Sequence, residues 1–160
     1  MMITFKKNYE KGGTLSIKRA DDSVTWHTLH QGFETHDLAH YAVEKALHFT
    51  NAFYGIVNAG ANISEFAAPR AERPTHLLPE NLPAEALQTE HIVNLLELEF
   101  YQQMEQAAFL NTISDILEKA NLPFPIHLNE TTLAEMRTTY VNLRQQWSVL
   151  KDGETLELDF

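Results

Sequence analysis

No cysteine occurs among the 160 residues. Disulfides, thiolate nucleophiles and cysteine-based zinc knuckles are therefore excluded, and any transition-metal site has to be built from histidine and carboxylate. Basic side chains are also scarce: twelve Lys and Arg stand against twenty-two Asp and Glu, for a formal net charge of -10. Such a field repels phosphate backbones and anionic lipid surfaces, and no basic patch with interleaved aromatics offsets it, so nucleic acid is not an expected partner. Long apolar runs are missing as well. The longest weakly polar stretch, Asn51 to Ala61, is interrupted by Asn58 and two glycines and is too short to cross a bilayer. The opening Met1-Met2-Ile3-Thr4-Phe5-Lys6-Lys7 has no apolar core of the secretory kind. A soluble, cytoplasmic protein without a membrane partner is expected.

What is present suits a globular core. Hydrophobic residues make up 44% of the chain and are spread along most of it, which fits one domain over residues 1–160. At that length roughly two-thirds of the unfolded surface can be buried without a covalent or metal staple.

The two ends read as strands. Met2 to Lys6, Thr14 to Lys18 and Val24 to Leu29 alternate, broken by Gly12-Gly13 and by the turn-forming Ala20-Asp21-Asp22-Ser23. Leu15 and Ile17 share one face of the second strand, and Val24, Trp26 and Thr28 share one face of the third. After the turn signal Lys151-Asp152-Gly153, the residues Leu156, Leu158 and Phe160 repeat this pattern. A lone hairpin is marginal in water, so the C-terminal strand is expected to return and pair with the N-terminal hairpin.

Between the ends the period changes to that of a helix. Thr35 is placed to cap a helix from His36 to about His48. At about 100° per residue, Leu38, Ala39, Ala42, Val43, Ala46 and Leu47 form one arc; His36 and His40 lie on its edge, Glu44 is further out and His48 faces away. Phe49 to Gly60 reads as a short helix packed closely through Gly55 or as a buried turn. Residues 61–83 hold Pro69, Pro74, Pro79 and Pro83; regular structure is not expected there, and a flap or cover is. After Pro83, the residues Val93, Leu96, Phe100, Met104 and Ala107, then Leu110, Ile113 and Leu117, fit one helix or two joined near Phe109 to Thr112. Asn129 or Thr132 caps a last helix whose stripe is Leu133, Met136, Tyr140, Leu143 and Trp147. The expected class is α+β, with about three principal helices packed on a small antiparallel sheet made from the N-terminal hairpin and the C-terminal strand.

Chemistry concentrates in His36-Asp37-Leu38-Ala39-His40-Tyr41-Ala42-Val43-Glu44. Residues four apart on a helix stack on one face, so His36 and His40 can offer two imidazole nitrogens to one divalent ion, zinc, iron or manganese, once a carboxylate joins them. Glu44 is one such acid, although it lies about 12 Å along the axis from His36, too far for both to reach one ion. A further acid is expected from the helix after Pro83, which holds Glu90, His91, Glu97 and Glu99. Glu97, inside an apolar segment, is favoured over Glu85 and Glu90. The expected metal set is thus drawn from His36, His40, Glu44 and Glu97.

Ordinary readings compete: His36 donates to a nearby carbonyl or carboxylate and His40 fills a core-edge position, or a histidine–carboxylate couple works without metal. The six other histidines, His27, His30, His48, His76, His91 and His127, read as surface or packing residues. The glutamate that follows the first histidine in HExxH proteases is replaced by Asp37, and no dinucleotide, phosphate-loop or nucleophile-elbow pattern occurs. Arg70 and Arg73, and Arg137 with Arg144, could form an anion subsite, but internal ion pairs are their more expected use.

The His36–Glu44 run, followed by Phe53-Tyr54-Gly55 and Ala59-Gly60 and closed by Trp147 and a last turn and strand, resembles a group of small uncharacterised bacterial proteins with a strand hairpin before that helix. The resemblance implies no reaction. His36, Asp37 and His40 are similar more weakly to the HDxxH element of a ubiquinone-biosynthesis family, where it is regarded as a zinc motif; Ala52 stands where that family has glutamate. Taken together, the residues point to a metal-binding protein, hydrolytic on a small substrate. The alternative is a non-enzymatic ligand-binding or protein-interaction domain.

Overall fold

The computed structural model describes every residue except Gln31, Gln103 and Met104, and only the backbone of Gln102. Alternation at both ends of the chain builds one antiparallel sheet from β1 (Met2–Lys6), β2 (Thr14–Lys18), β3 (Val24–Thr28) and β4 (Thr155–Asp159), in the order β3-β2-β1-β4. The C-terminal strand pairs with β1, as its apolar face requires. Ile3 lies opposite Ile17 and Leu158, and Phe5 opposite Leu15 and Leu156, so one face of three strands is a continuous apolar row. At β3 that row turns polar: Thr25 and His27 continue it, opposite Ile17 and Leu15. Val24 and Trp26 pair with Lys18 and Ser16 on the outer face, where they are 57% and 62% exposed.

Four long helices pack on one another beside the sheet: α1 (Phe33–Leu47), α4 (Ala84–Gln102), α5 (Gln106–Lys119) and α6 (Glu130–Val149). Between α1 and α4 lie the short α2 (Phe53–Asn58) and α3 (Ile63–Phe66) and two single 3-10 turns at Thr75–Leu77 and Pro79–Asn81. The proline-rich connection thus holds only isolated helical turns. The chain after Pro83 forms two helices, and the second begins at Gln106, ahead of the Phe109–Thr112 junction read from the sequence; Phe109 is fully buried inside it. Asn129 caps α6 by accepting from the amides of Thr131 and Thr132, and the Thr132 hydroxyl oxygen in turn accepts from the Asn129 amide. All five stripe residues of α6 are buried, and Trp147 meets Phe5 edge to face.

The α4 stripe is correct at Val93 and Leu96, whereas Phe100 is 39% exposed and Met104 lies outside the described residues. Glu99 is buried in place of Phe100 because its carboxylate pairs with Arg137 of α6. Phe100 instead packs on Tyr140 beneath the Arg144 guanidinium.

The start of α1 also differs from expectation. The helix begins at Phe33, after Gly32 in left-handed backbone (φ 95°), so Thr35 sits inside the first turn and donates its hydroxyl to the Gly32 carbonyl. No side chain caps the helix; instead the two oxygens of Glu34 accept from the amides of Gly13 and Gly32 at 3.2 and 2.7 Å. That buried carboxylate ties the β1–β2 turn to the helix that carries the site.

Candidate metal centre

Helix α1 is enclosed on most sides, packed on α6, α4 and α2. His40 and Glu44 are therefore buried, Glu44 completely, where the helical wheel placed them at the edge and outside the apolar arc. A buried carboxylate must be satisfied. Glu44 accepts from the amides of Tyr54 and Gly55 at the start of α2, at 2.9 and 3.4 Å, and its other oxygen faces His40 Nδ1 at 3.3 Å. The approach of α2 depends on Gly55: a Cβ there would lie 2.1 Å from the Thr50 carbonyl oxygen.

One turn back, His36 Nδ1 contacts Glu97 of α4 at 3.0 Å. Glu97 is itself held by a long 3.5 Å hydrogen bond from the Tyr140 hydroxyl, which accepts from Arg144 at 2.9 Å. Each imidazole therefore has a carboxylate on Nδ1, and each directs Nε2 at the other, 3.2 Å away. Glu90, in the second turn of α4, reaches the same point: its oxygens are 3.9 Å from His36 Nε2 and 3.5 Å from His40 Nε2. His36, His40 and Glu90 form a group whose ligand atoms all lie within 4.8 Å of one another.

These distances fit a metal. Two nitrogens at about 2.0–2.1 Å from one tetrahedral zinc lie about 3.3 Å apart. The imidazole pair already has that spacing, and the Glu90 oxygens, on a side chain 51% exposed, lie slightly farther off at 3.5 and 3.9 Å. When Glu44 and Glu97 are ionised they can only accept, so both imidazoles carry their proton on Nδ1 and present bare lone pairs at Nε2. In that state the two lone pairs face one point, the arrangement of a pair of metal ligands.

Electrostatics agree with neutral imidazole at His40, whose pKa burial drives down to about 4. Burial pushes Glu44 well above the carboxylate range, against the pull of the Gly55 and Tyr54 amides. At His36 burial acts downward, but the Glu97 carboxylate, aided by Asp37 and Glu90, outweighs it and the net shift is upward. Glu97 moves down, chiefly through its bond with His36. Asp37 is pushed up to about 7 by burial, opposed by His36 and reinforced by Glu90, Glu34 and Glu97.

Above the imidazoles lies a cavity of about 400 Å³. His36, Asp37, His40 and Glu90 face it, Phe53 and Leu29 wall one part, and the connection between α2 and α4 supplies Ile63, Phe66, Arg73, Leu77 and Leu82. The proline-rich segment is thus the cover of the site. Comparison with protein-family models, with curated proteins and with solved structures finds no match for this chain. Function therefore has to be read from the geometry alone.

The structure brings all four sequence candidates together, but in two roles. His36 and His40 point into the shared space, whereas Glu97 and Glu44 sit behind them on Nδ1. The carboxylate at the convergence point is Glu90, which the sequence ranks below Glu97 because its neighbours are polar. An open helix face is where a ligand beside a cavity has to be. His27 and His30, read as ordinary surface or packing residues, also line the cavity. Nothing local marks them; they arrive there because β3 ends beside α1. Of the arginines, Arg70 pairs with Glu80 and Arg137 with Glu99, as expected of internal ion pairs. Among the described residues no helix is long and apolar enough to cross a membrane.

Proposed function

We propose that this protein binds one divalent metal ion through Nε2 of His36, Nε2 of His40 and the carboxylate of Glu90, and uses it to hydrolyse a small substrate in the adjoining cavity. The observation that carries the reading is the 3.2 Å approach of two Nε2 atoms whose Nδ1 partners are both carboxylates. Two histidines and one glutamate suit zinc, and the same donors accept iron or manganese. A metal held by these three residues would supply Lewis acidity to a water on its cavity side and so favour that water as a nucleophile. Asp37 lines that cavity, and its carboxylate makes no hydrogen bond among the described residues. It is the group placed to take the proton of that water, while the apolar wall limits competing solvent.

Elemental analysis after aerobic and anaerobic purification tests the metal. About one equivalent per chain is expected in the wild type and little in His40→Ala. A trace amount that His40→Ala leaves unchanged would overturn the assignment. For hydrolysis, the zinc-loaded protein is assayed on p-nitrophenyl esters; turnover abolished in both Glu90→Gln and Asp37→Asn is the expected result. Turnover that survives both would remove the hydrolytic part.

A further inference from the structure

The cavity combines two surfaces. Leu29, Phe53, Ile63, Phe66, Leu77 and Leu82 make much of the wall apolar, while the floor is imidazole and carboxylate. Its volume, about 400 Å³, falls at the small end of the range for organic ligands, about 300–1,000 Å³. A sugar would leave hydroxyls unpaired against such a wall, which disfavours it. A hydrocarbon or aromatic body would not.

Arg73 adds a charge to that wall. It is the one Lys or Arg among the lining residues. Its Nε and Nη2 donate to the Ala68 carbonyl at 3.3 and 3.1 Å, which fixes the plane of the half-buried guanidinium. Its Nη1 makes no hydrogen bond among the described residues, and no carboxylate of theirs lies within ion-pair distance. Arg70, three positions away, does pair with an acid, Glu80. In a chain with twenty-two acidic residues, a half-buried guanidinium without one has its charge available to a ligand.

We infer that the cavity takes a small organic anion, with an apolar or aromatic body against Phe53, Phe66 and Leu77 and a carboxylate held by Arg73. The inference rests on the metal reading in one respect. Without an ion, the carboxylates of Asp37 and Glu90 make the floor anionic and Arg73 alone opposes them. A divalent ion on His36, His40 and Glu90 offsets those two carboxylates, so Arg73 is no longer opposed, the anion is tolerated and its far end is presented to the metal. Metal loading should therefore tighten anion binding.

The probes are 1-naphthylacetate and its neutral amide, which share one hydrocarbon body. Calorimetric titration uses the full chain, metal-free and zinc-loaded, as wild type, Arg73→Met and Arg73→Lys, with thermal melts and zinc content checked for each. In the zinc-loaded wild type the acid should bind at least about tenfold more tightly than the amide. That preference should collapse in Arg73→Met and return in part in Arg73→Lys, at unchanged zinc content. The inference is overturned if the amide binds as well as the acid, if neither binds, or if the preference survives Arg73→Met, which would put the carboxylate on the metal alone. Should the wild type hold no zinc, the metal reading fails separately. The same collapse in Arg73→Met is then required of the metal-free titration, and its absence refutes the role of Arg73.

Discussion

His36 and His40 meet Nε2 to Nε2 at 3.2 Å, each braced from behind by a glutamate of a different origin, Glu97 from α4 and Glu44 from the same helix. Carboxylates in that position orient the ring and raise its basicity, and their loss costs about 10–100-fold in metal affinity. Glu97→Gln is therefore expected to weaken zinc binding by about that factor while one equivalent still binds at saturation. Competition with a zinc chelator measures it. Unchanged affinity would show that the bond to His36 has no bearing on the metal.

Tyr140→Phe removes the hydroxyl between Arg144 and Glu97 but keeps a ring that is 1% exposed. A loss of about 1 kcal/mol of stability is expected from the missing hydrogen bonds. A smaller fall in zinc affinity should accompany it, because Glu97 loses a donor. Urea melts of the metal-free protein and the chelator assay read the two effects separately.

Asp37→Asn should change how stability depends on pH. A carboxyl whose folded pKa is raised from 3.8 to about 7 binds its proton more tightly folded than unfolded. Across that window the wild type therefore loses stability as pH rises, and the cost is complete above the folded pKa. The substituted amide cannot ionise, so the metal-free variant should exceed the wild type by about 1 kcal/mol near pH 8, a figure discounted because Asp37 opens onto the cavity. The gap should close toward pH 4. A gap of constant size across this range would refute the shift.

Gly55→Ala places a Cβ 2.1 Å from a backbone oxygen, and the helix must move to relieve it. Overpacking of this kind costs about 1–3 kcal/mol. The displaced amides of Tyr54 and Gly55 would also leave Glu44 without its donors. A drop in melting temperature together with weaker zinc binding is expected; a variant with wild-type values for both would contradict the role given to α2.

Much of the architecture was legible because it rests on periodicity. Leu133, Met136, Tyr140, Leu143 and Trp147 repeat cleanly and are all buried, and the apolar rows of β1, β2 and β4 predict their pairing. The two histidines were legible by spacing alone. A helical wheel turns Glu44 outward because it assigns one wet side to a helix, whereas α2 covers α1 on that side and supplies the amides of Tyr54 and Gly55. Glu90 ranks low in the sequence for a related reason: exposure on a helix says nothing of which neighbour lies across from it. Thr35 does not cap because the helix starts two residues earlier, where no side chain caps it and Glu34 turns back to the amides of Gly32 and of Gly13, twenty-one residues earlier. Local pattern carries no record of such a partner.

The two sides of the cavity are made of different materials. Its floor belongs to helices locked into the core, while the roof is a run of single turns between Ile63 and Asn81. Changes in that roof can retune which molecule enters without disturbing the groups that would react with it. Selectivity and chemistry are in this way separately mutable, and libraries confined to the roof should yield folded variants with altered ligand preference.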